Sequence, residues 1–276
     1  MMIQYLSLIA SLLVCVACTS PAKRFDQAAA EVGLTKSIVL GDRFSHAVYR
    51  NERPAAALTA SDRLHVYLGG DGTPWKALTA PSSEPTPRRP VGLAMLRQDS
   101  SPSIYLGRPC YHGLASSPGC SPIWWTHRRF SEEVIASMSA ALKRIAAQYN
   151  HPEILLIGYS GGSVIARLLA ERVPHVKAVI TVAGNLDTAA WTDLHGYSPM
   201  LGSINPTERP PLAAKIRQIH LFGGQDKNCP ADLATRYFDK EPNALRRVYP
   251  GFSHRCCWAE QWPTILNDSL VAIEAG

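Results

Sequence analysis

The stretch EILLIGYSGGS, residues 153–163, decides the fold of this chain. Its four consecutive apolar residues, Ile154 to Ile157, lie between a proline and a glycine. A short apolar run that is rich in β-branched residues and bounded by breakers predicts a buried strand. The apolar residues 164, 165, 168 and 169 share one face of a helix that ends before the next proline. The stretch therefore predicts a strand, a tight turn and a helix that begins at about Ser163.

The turn contains the pattern Gly-x-Ser-x-Gly, written out as Gly158-Tyr159-Ser160-Gly161-Gly162. On a sharp strand-to-helix turn, a serine adopts strained backbone angles that lift its hydroxyl clear of the sheet. The flanking residues must be glycine because a Cβ would collide with the neighbouring strand or helix. The helix N-terminus adds partial positive charge where an oxyanion would form. The pattern predicts that Ser160 is a nucleophile; the alternative is that glycine and serine only punctuate a βα turn.

Predicted strands alternate with predicted helices along the remaining chain. Strands are predicted within 37–50 (a pair), at 64–68, 104–106, 176–182, 216–222 and 248–249, and helices at 90–98, 131–149 and 262–275. This alternation predicts an α/β fold with a mostly parallel central sheet, helices on both faces, and function at the carboxyl ends of the strands.

Two stretches lack this periodicity. Residues 79–90 are rich in Pro, Ser and Thr, which predicts an exposed loop. Residues 186–215 are irregular and contain several prolines and aromatic residues. A long irregular stretch inside a compact domain is typical of an active-site cover, so a small cap segment is predicted at about 186–215.

An activated serine needs a base within hydrogen-bond reach and an acid that orients the base. Asp226 lies four residues after the predicted strand that ends at Phe222, and His254 follows the last predicted strand. We predict that His254 is the base and Asp226 the acid. Asp187 remains an alternative acid, and His195 remains an alternative base or a pocket residue. The loop histidines His112 and His127 are interpreted as surface residues.

The order Ser160, Asp226, His254, with the serine turn, a Gly-x-x-Asp loop and a terminal Gly-x-x-His, resembles the α/β-hydrolase family over nearly all of the mature chain. The resemblance implies a serine hydrolase that cleaves carboxylic esters, with thioesters or amides possible, through a Ser-His-Asp triad and an acyl-enzyme. Two alternatives stay open, namely an acyltransferase with the same triad and a non-catalytic envelope lipoprotein on the same scaffold. No cofactor motif and no zinc-type spacing of Cys and His is present, so neither a cofactor nor a metal is expected.

The resemblance also implies two backbone donors for an oxyanion. One is the amide of Gly161, directly after the nucleophile. The other lies in the loop after strand 64–68, where Gly70-Asp71-Gly72 replaces the usual His-Gly-x; either Asp71 or Gly72 could donate, and Gly72 is preferred. An apolar acyl or aryl pocket is predicted from the aromatic residues near these loops, namely Trp75, Tyr159, Trp191, His195 and Tyr197.

Length and composition fit one large domain. The chain has 276 residues, of which 46% are hydrophobic and 18% charged, so a single α/β domain over 18–276 is expected. The net charge of +6 includes isolated arginine pairs at 88–89, 128–129 and 246–247 without interleaved aromatic residues. These pairs are interpreted as solvated faces, which argues against a nucleic-acid partner. The resemblance implies instead a small-molecule ester or acyl substrate.

The N-terminus predicts export. Residues 3–17 are almost wholly apolar, but this run is too short to span a bilayer comfortably and ends in small residues. A signal peptide over 1–17 is therefore predicted. The sequence Cys15-Val16-Ala17-Cys18 resembles a bacterial lipoprotein signal, which implies lipidation at Cys18 and anchoring to a membrane in the periplasm or at the outer membrane.

Export permits disulfides among the remaining cysteines. Cys110 and Cys120 flank a loop rich in Gly, Ser and Pro, where a local bridge is predicted. Cys229 lies just after Asp226, and Cys256 and Cys257 lie just after His254. If the acid and base loops meet, Cys229 should pair with Cys256 or Cys257; a vicinal Cys256–Cys257 bridge is the alternative.

Overall fold

The computed structural model describes residues 19–51, 63–77, 79–149 and 153–275. The predicted signal peptide over 1–17 and the predicted lipidation of Cys18 lie outside these residues. Within the described ranges, no helix combines the length and the apolar character needed to cross a bilayer.

Helices and strands alternate along most of the chain. In order they are α1 (Pro21–Ala30), β1 (Leu34–Leu40), β2 (Ser45–Asn51), β3 (Arg63–Leu68), β4 (Trp75–Ala77), β5 (Ala80–Pro81), α2 (Val91–Leu96), β6 (Ser103–Leu106), α3 (Glu132–Gln148), β7 (Glu153–Tyr159), α4 (Gly161–Ala170), β8 (Val176–Val182), α5 (Thr188–Leu194), β9 (Arg217–Gly223), α6 (Thr235–Phe238), β10 (Leu245–Tyr249) and α7 (Trp262–Glu274). Short 3-10 turns lie at Pro122–Trp124, Pro206–Glu208 and Ala231–Ala234.

Eight strands form the central sheet in the order β1-β2-β6-β3-β7-β8-β9-β10. Within the described part of this sheet, only the pairings β1–β2 and β2–β6 are antiparallel, and the strands that follow β2 in this order run parallel. The predicted mostly parallel α/β sheet is thus confirmed. Leu68 at the end of β3 pairs with Gly158 near the end of β7, and Tyr159 pairs with Val182 of β8. This register brings the loops after β3, β7 and β8 to one edge of the sheet.

Side chains that alternate along the strands form two buried layers. Leu156 of β7 packs with α3 and α4 on one face, whereas Leu155 and Ile157 pack with α1, α2 and α7 on the other. Each fully buried large apolar side chain stabilises the fold by about 1.5–3 kcal/mol, so these two layers hold the sheet between its helices. The prediction of helices on both faces is confirmed.

The predicted exposed loop at 79–90 is partly wrong. Its middle part, including Thr86 and the prolines on either side of it, is buried. The reason is a set of hydrogen bonds: the Thr86 Oγ1 accepts from the backbone N–H of His112 at 2.6 Å, and the Pro85 carbonyl accepts from the N–H of Thr73 at 2.9 Å. His112 itself is 1% exposed and packs among aromatic rings, so its interpretation as a surface residue is wrong too.

Among the described residues, the structure adds three helices that the sequence patterns did not predict, namely α1, α5 and α6, and α5 lies inside the stretch 186–215 that was expected to be irregular. Helix α1 begins after Ser20, whose side-chain oxygen accepts the N–H of Lys23 at 3.2 Å, and it has a proline in its first turn. Serine before proline is a recognised start of a helix. Phe25 and Ala29 anchor α1 in the same layer as α2 and α7.

Candidate active site

Ser160 lies in the turn between β7 and α4 with φ 53° and ψ −124°. A non-glycine residue rarely takes a positive φ, and such strain costs on the order of 1–3 kcal/mol unless the surroundings enforce it. Here the Ser160 N–H donates to the carbonyl of Val182 at 2.9 Å, which ties the turn to the neighbouring strand. The strained serine that the pattern predicts is therefore held at the carboxyl edge of the sheet.

The two outer glycines of the turn are required by close backbone approaches. A Cβ on Gly158 would lie 2.5 Å from the carbonyl oxygen of Gly162, and one on Gly162 would lie 2.1 Å from the carbonyl oxygen of Leu68. Both clashes involve backbone atoms of packed elements, which cannot move aside as a flexible side chain would. The strand, the turn and the helix thus pack as closely as the sequence pattern indicates.

Ser160, His254 and Asp226 form a continuous hydrogen-bonded chain. The Nε2 atom of His254 lies 3.0 Å from Ser160 Oγ, and its Nδ1 atom lies 2.8 Å from Asp226 Oδ2. The other oxygen, Oδ1, accepts the backbone N–H groups of Asn228 at 2.8 Å and Cys229 at 2.9 Å. Burial alone would raise the pKa of Asp226, but the bond to His254 and these N–H donors hold the pKa below its ordinary value. Asp226 is therefore an ionised acceptor for His254.

Asn228 is a further neighbour of His254 that the sequence analysis missed. Its Nδ2 lies 3.1 Å from His254 Nε2, the same nitrogen that faces Ser160 Oγ. Because Asp226 can only accept, Nδ1 carries the proton and the bare Nε2 can accept from both Ser160 and Asn228. An asparagine two residues after the acid carries no recognisable signal in a single sequence.

Two aromatic side chains hold the loop that carries His254. The hydroxyl of Tyr159 donates to the His254 carbonyl at 2.9 Å, and the ring centroids of Tyr159 and His254 lie 5.5 Å apart. The indole N–H of Trp258 donates to the carbonyl of Ser253 at 3.0 Å. Tyr159 is only 7% exposed, so its hydroxyl and ring mainly orient the loop that carries His254.

The loop after β3 is built around a buried ion cluster. Asp71 Oδ1 lies 2.8 Å from Arg108 and Oδ2 lies 2.7 Å from Arg129, and both arginine side chains are almost fully buried. Burial would raise the pKa of Asp71, but the guanidinium groups of Arg129 and Arg108 hold it below its ordinary value. The interpretation of the pair 128–129 as a solvated face is therefore wrong for Arg129.

Replacing Asp71 with alanine should destabilise the fold strongly. The change leaves two buried guanidinium groups without their carboxylate, and breaking a buried ion pair typically costs about 3–5 kcal/mol. Urea unfolding at neutral pH measures the loss. Glu274→Ala is the matched control, because Glu274 is 66% exposed beside Arg63 and should cost less than about 1 kcal/mol. Equal losses in the two variants would contradict this account of the cluster.

Gly70, rather than Gly72, lies against Ser160. A Cβ on Gly70 would lie 3.2 Å from the Cβ of Ser160, whereas one on Gly72 would meet the carbonyl oxygen of Pro85 at 2.1 Å. Gly72 has φ +68°, which turns the chain into the loop that follows. A Cβ on Gly161 would meet Asp71 Oδ1 at 2.0 Å, so Asp71 is the loop residue beside the start of α4.

The alternative acid and base have other partners. Asp187 caps α5, where its carboxylate accepts from Ala190 N–H at 3.2 Å and Asn205 Nδ2 at 2.9 Å. His195 Nε2 bonds to the carbonyl of Asn228 at 2.9 Å, and its ring stacks on Tyr197. Neither side chain takes part in the chain of hydrogen bonds that reaches Ser160.

A cavity of about 1220 Å³ opens above Ser160 and His254. Trp75, Tyr159, Trp191 and Tyr197 line it, as expected for pocket residues, but His195 lies outside its lining. Part of the predicted cap segment, including α5 and the residues after it, contributes one section of the wall. Since ordinary ligand pockets measure about 300–1,000 Å³, this cavity has room for a large or branched ligand.

The cysteine pairing near the base loop differs from the preferred prediction. Cys110 and Cys120 form the predicted bridge, with sulfurs 2.05 Å apart. Cys256 pairs with Cys257, however, and Cys229 is free and buried. The prediction that Cys229 bridges to the base loop is therefore wrong. The side chain of Cys229 is buried, and its backbone N–H donates to Asp226 Oδ1. Cys256, by contrast, is exposed.

Comparisons with known proteins identify the fold of this chain. A family model described as the α/β hydrolase fold matches residues 110–210, and no curated protein matches the chain. The structure is similar to a putative lipase from Acinetobacter baumannii (TM-score 0.56, 13% identity, 95% of this chain and 99% of that one). It is also similar to an esterase from Pyrococcus furiosus (TM-score 0.56, 11% identity, 88% and 93%). A third similar structure is a putative α/β hydrolase from Agrobacterium tumefaciens (TM-score 0.54, 11% identity, 87% and 95%). At such identities the similarity is one of fold.

Proposed function

This chain has the α/β-hydrolase fold, and from that premise we propose that it is a serine hydrolase that cleaves carboxylic esters. The observation that carries the proposal is the pair of hydrogen bonds from Ser160 Oγ to His254 Nε2, 3.0 Å, and from His254 Nδ1 to Asp226 Oδ2, 2.8 Å. Nucleophile, base and acid in this arrangement are what acyl transfer requires. Esterases and lipases among the proteins of similar fold agree with this chemistry.

The proposed reaction has two halves. Ser160 Oγ bonds to the ester carbonyl carbon while its proton passes to His254 Nε2, and the C–O bond then breaks as the leaving alcohol takes that proton. Water next attacks the acyl-enzyme, gives a proton to His254 and releases the carboxylic acid, after which Ser160 regains its hydrogen. Asp226 keeps the imidazole in the required tautomer and stabilises the imidazolium. General-base help of this kind is worth about 10²–10⁴-fold in rate.

We assign the backbone N–H groups of Gly161 and Asp71 to the oxyanion. Gly161 is the first residue of α4, so its N–H has no acceptor within the helix. This N–H lies at the positive end of the helix dipole. Asp71 follows Gly70, which lies against Ser160, while Gly72 is turned toward Pro85. The negative carboxylate of Asp71 is neutralised by Arg108 and Arg129, so it does not oppose an oxyanion beside it.

Hydrolysis of p-nitrophenyl esters with graded acyl chains, beside the corresponding anilides, tests the proposal. We expect saturable ester cleavage and much weaker anilide cleavage. Adding methanol separates a hydrolase from an acyltransferase, because an acyltransferase would divert most of the acyl group from water to the alcohol. Absence of turnover on every ester would favour the non-catalytic alternative.

We further propose that the chain is exported and lipid-anchored at Cys18. The apolar residues 3–17, the cysteine that follows them and the disulfide between Cys110 and Cys120 support this, since disulfides persist in oxidising compartments. Cells grown with an alkyne-tagged palmitate should label the wild-type protein and the Cys15→Ser control, but not Cys18→Ser. Equal labelling of Cys18→Ser and the control would contradict the anchor.

A further inference from the structure

The cavity above Ser160 carries an excess of positive charge. Five exposed cationic side chains line it, and the described residues place no carboxylate within ion-pairing distance of any of them: Lys76, Arg88, Arg89, Lys227 and Arg255. Among the described residues that line the cavity, Asp71 is the only acidic one, and its carboxylate is already occupied by Arg108 and Arg129. The cavity therefore contains cations without an internal counter-charge.

These cations are brought together by the same loops that build the site. Lys227 directly follows Asp226, and Arg255 directly follows His254, so both stand beside the residues of the triad. Lys76 lies next to Trp75 in β4. Three separate parts of the chain thus supply positive charge to one cavity. Like charges placed together repel each other, so this arrangement does not stabilise the fold.

Arg88 and Arg89 add a chemical preference to the charge. They are adjacent, exposed and placed just before α2, at the end of a loop whose middle is buried and fixed. Guanidinium groups bind carboxylate and phosphate oxygens with two parallel hydrogen bonds, which gives geometric selectivity as well as attraction. The aromatic walls suit an apolar segment of the same ligand. The ring centroids of Trp191 and Tyr197, for example, lie 5.3 Å apart.

We propose that the ester cleaved at Ser160 carries a second, anionic group, a carboxylate or a phosphate, held by these five cations. The proposal rests on the hydrolase function proposed above and narrows it to one substrate class. A cleft lined by charge of one sign raises the association rate of an oppositely charged ligand by about 10- to 1,000-fold, and salt weakens the effect. The preference should therefore appear in kcat/KM and should depend on ionic strength.

Three p-nitrophenyl esters of equal length test the proposal: hexanoate, the monoester of adipic acid and the ester of 5-phosphonopentanoic acid. At low salt, at least one anionic ester should have a kcat/KM about tenfold or more above hexanoate, after subtraction of the uncatalysed rate. The ester with the larger ratio identifies carboxylate or phosphate as the anion. In about 1 M salt, where the Debye length is about 3 Å, the ratio should fall toward one.

A pair of double variants tests where the charge acts. Arg88→Glu with Arg89→Glu should lower the ratio of anionic to neutral kcat/KM by about tenfold or more. Lys143→Glu with Lys215→Glu is the control, because both lysines are exposed, lie outside the cavity and change the net charge by the same amount. The control should keep the wild-type ratio. The salt dependence of the wild-type enzyme tests the proposal even if the arginine variant fails to fold.

Failure of this inference differs from failure of the proposed function. If hexanoate is cleaved through Ser160 but neither anionic ester is preferred at low salt, the anionic substrate is excluded while the hydrolase stands. An unchanged ratio in the Arg88 and Arg89 variant would also overturn the assignment to these residues. If all three esters stay intact beyond the uncatalysed rate, both proposals fall.

Discussion

Replacement of Ser160 by alanine is expected to lower kcat for a cleaved ester by about 10⁴-fold or more, with the fold intact. The reason is that the acyl-enzyme cannot form without Oγ, while His254 and Asp226 alone offer no nucleophile. Single-turnover and steady-state assays of ester cleavage measure the loss. The variant keeps its backbone bond to Val182, so its circular dichroism and unfolding temperature should match those of the wild-type protein.

Ser116→Ala is a suitable control for this prediction. Ser116 is an exposed loop serine that lies outside the cavity. Its replacement should leave kcat and KM within about twofold of the wild-type values, as expected for surface changes away from special features. If Ser160→Ala retained more than a tenth of the wild-type kcat, Ser160 would not be the nucleophile.

Acidification is expected to unfold this protein steeply between about pH 6 and pH 4. Among the buried histidines of the described residues, burial lowers the pKa of His46 to about 4 and the pKa values of His112 and His220 to about 3, from an ordinary value of 6.5. The unfolded chain therefore binds more protons than the folded one over this interval. The contribution of these neutral histidines to the free energy of unfolding is therefore fully present above about pH 6.5. It is lost as the pH falls toward the pKa values of the folded protein.

The surroundings of each histidine explain why it stays neutral. Burial dominates at all three sites; the carbonyl of Gly107, 3.0 Å from His46 Nδ1, raises the pKa of His46 only in part. At His112 the nearby charges of Lys36 and Arg108 lower the pKa further. At His220 the charge of Arg167 acts in the same direction.

The expected slope of the free energy of unfolding against pH is large enough to unfold the protein. One bound proton changes the free energy of unfolding by about 1.4 kcal/mol per pH unit, so three histidines give up to roughly 4 kcal/mol per unit. Small domains have about 5–15 kcal/mol in total, so the protein should unfold before pH 4. Urea unfolding at half-unit steps from pH 7.5 to pH 4.5 measures this slope.

His220→Gln should reduce the pH slope by about one proton, whatever it does to stability at pH 7. His127→Gln is the control, because His127 is only partly buried and lies beside Trp75 at the cavity wall. A slope that is near zero in the wild-type protein, or unchanged in His220→Gln, would contradict the assignment of neutral buried histidines.

Local patterns of glycine, apolar residues and caps were sufficient to predict most of the fold. The strand before Ser160 and the helix after it follow from Ile154 to Ile157 and from the spacing within α4, because both signals are local. Helix α1 was missed although Ser20 and Pro21 form a good start, because it lies next to the predicted signal peptide.

The meeting of Ser160, Asp226 and His254 could be predicted for a different reason, which is topological. Ser160, Asp226 and His254 each follow a strand, and parallel strands bring such loops to one edge. The partners of Asp71 could not be predicted, because Arg108 and Arg129 reach it through the tertiary fold and nothing in their spacing marks them as buried. The pairing of Cys229 failed because nearness of two loops does not fix the direction in which a side chain points.

We propose that Ser160 is a nucleophile activated by His254 in the folded protein. Treatment of the native protein with a fluorophosphonate probe, followed by peptide mass spectrometry, tests it most directly. We expect one adduct, on Ser160, that forms rapidly in the wild-type protein, forms at least about 100-fold more slowly in His254→Ala and is lost on unfolding. A native protein that stays unlabelled while a control hydrolase reacts, or an adduct on another residue, would contradict it.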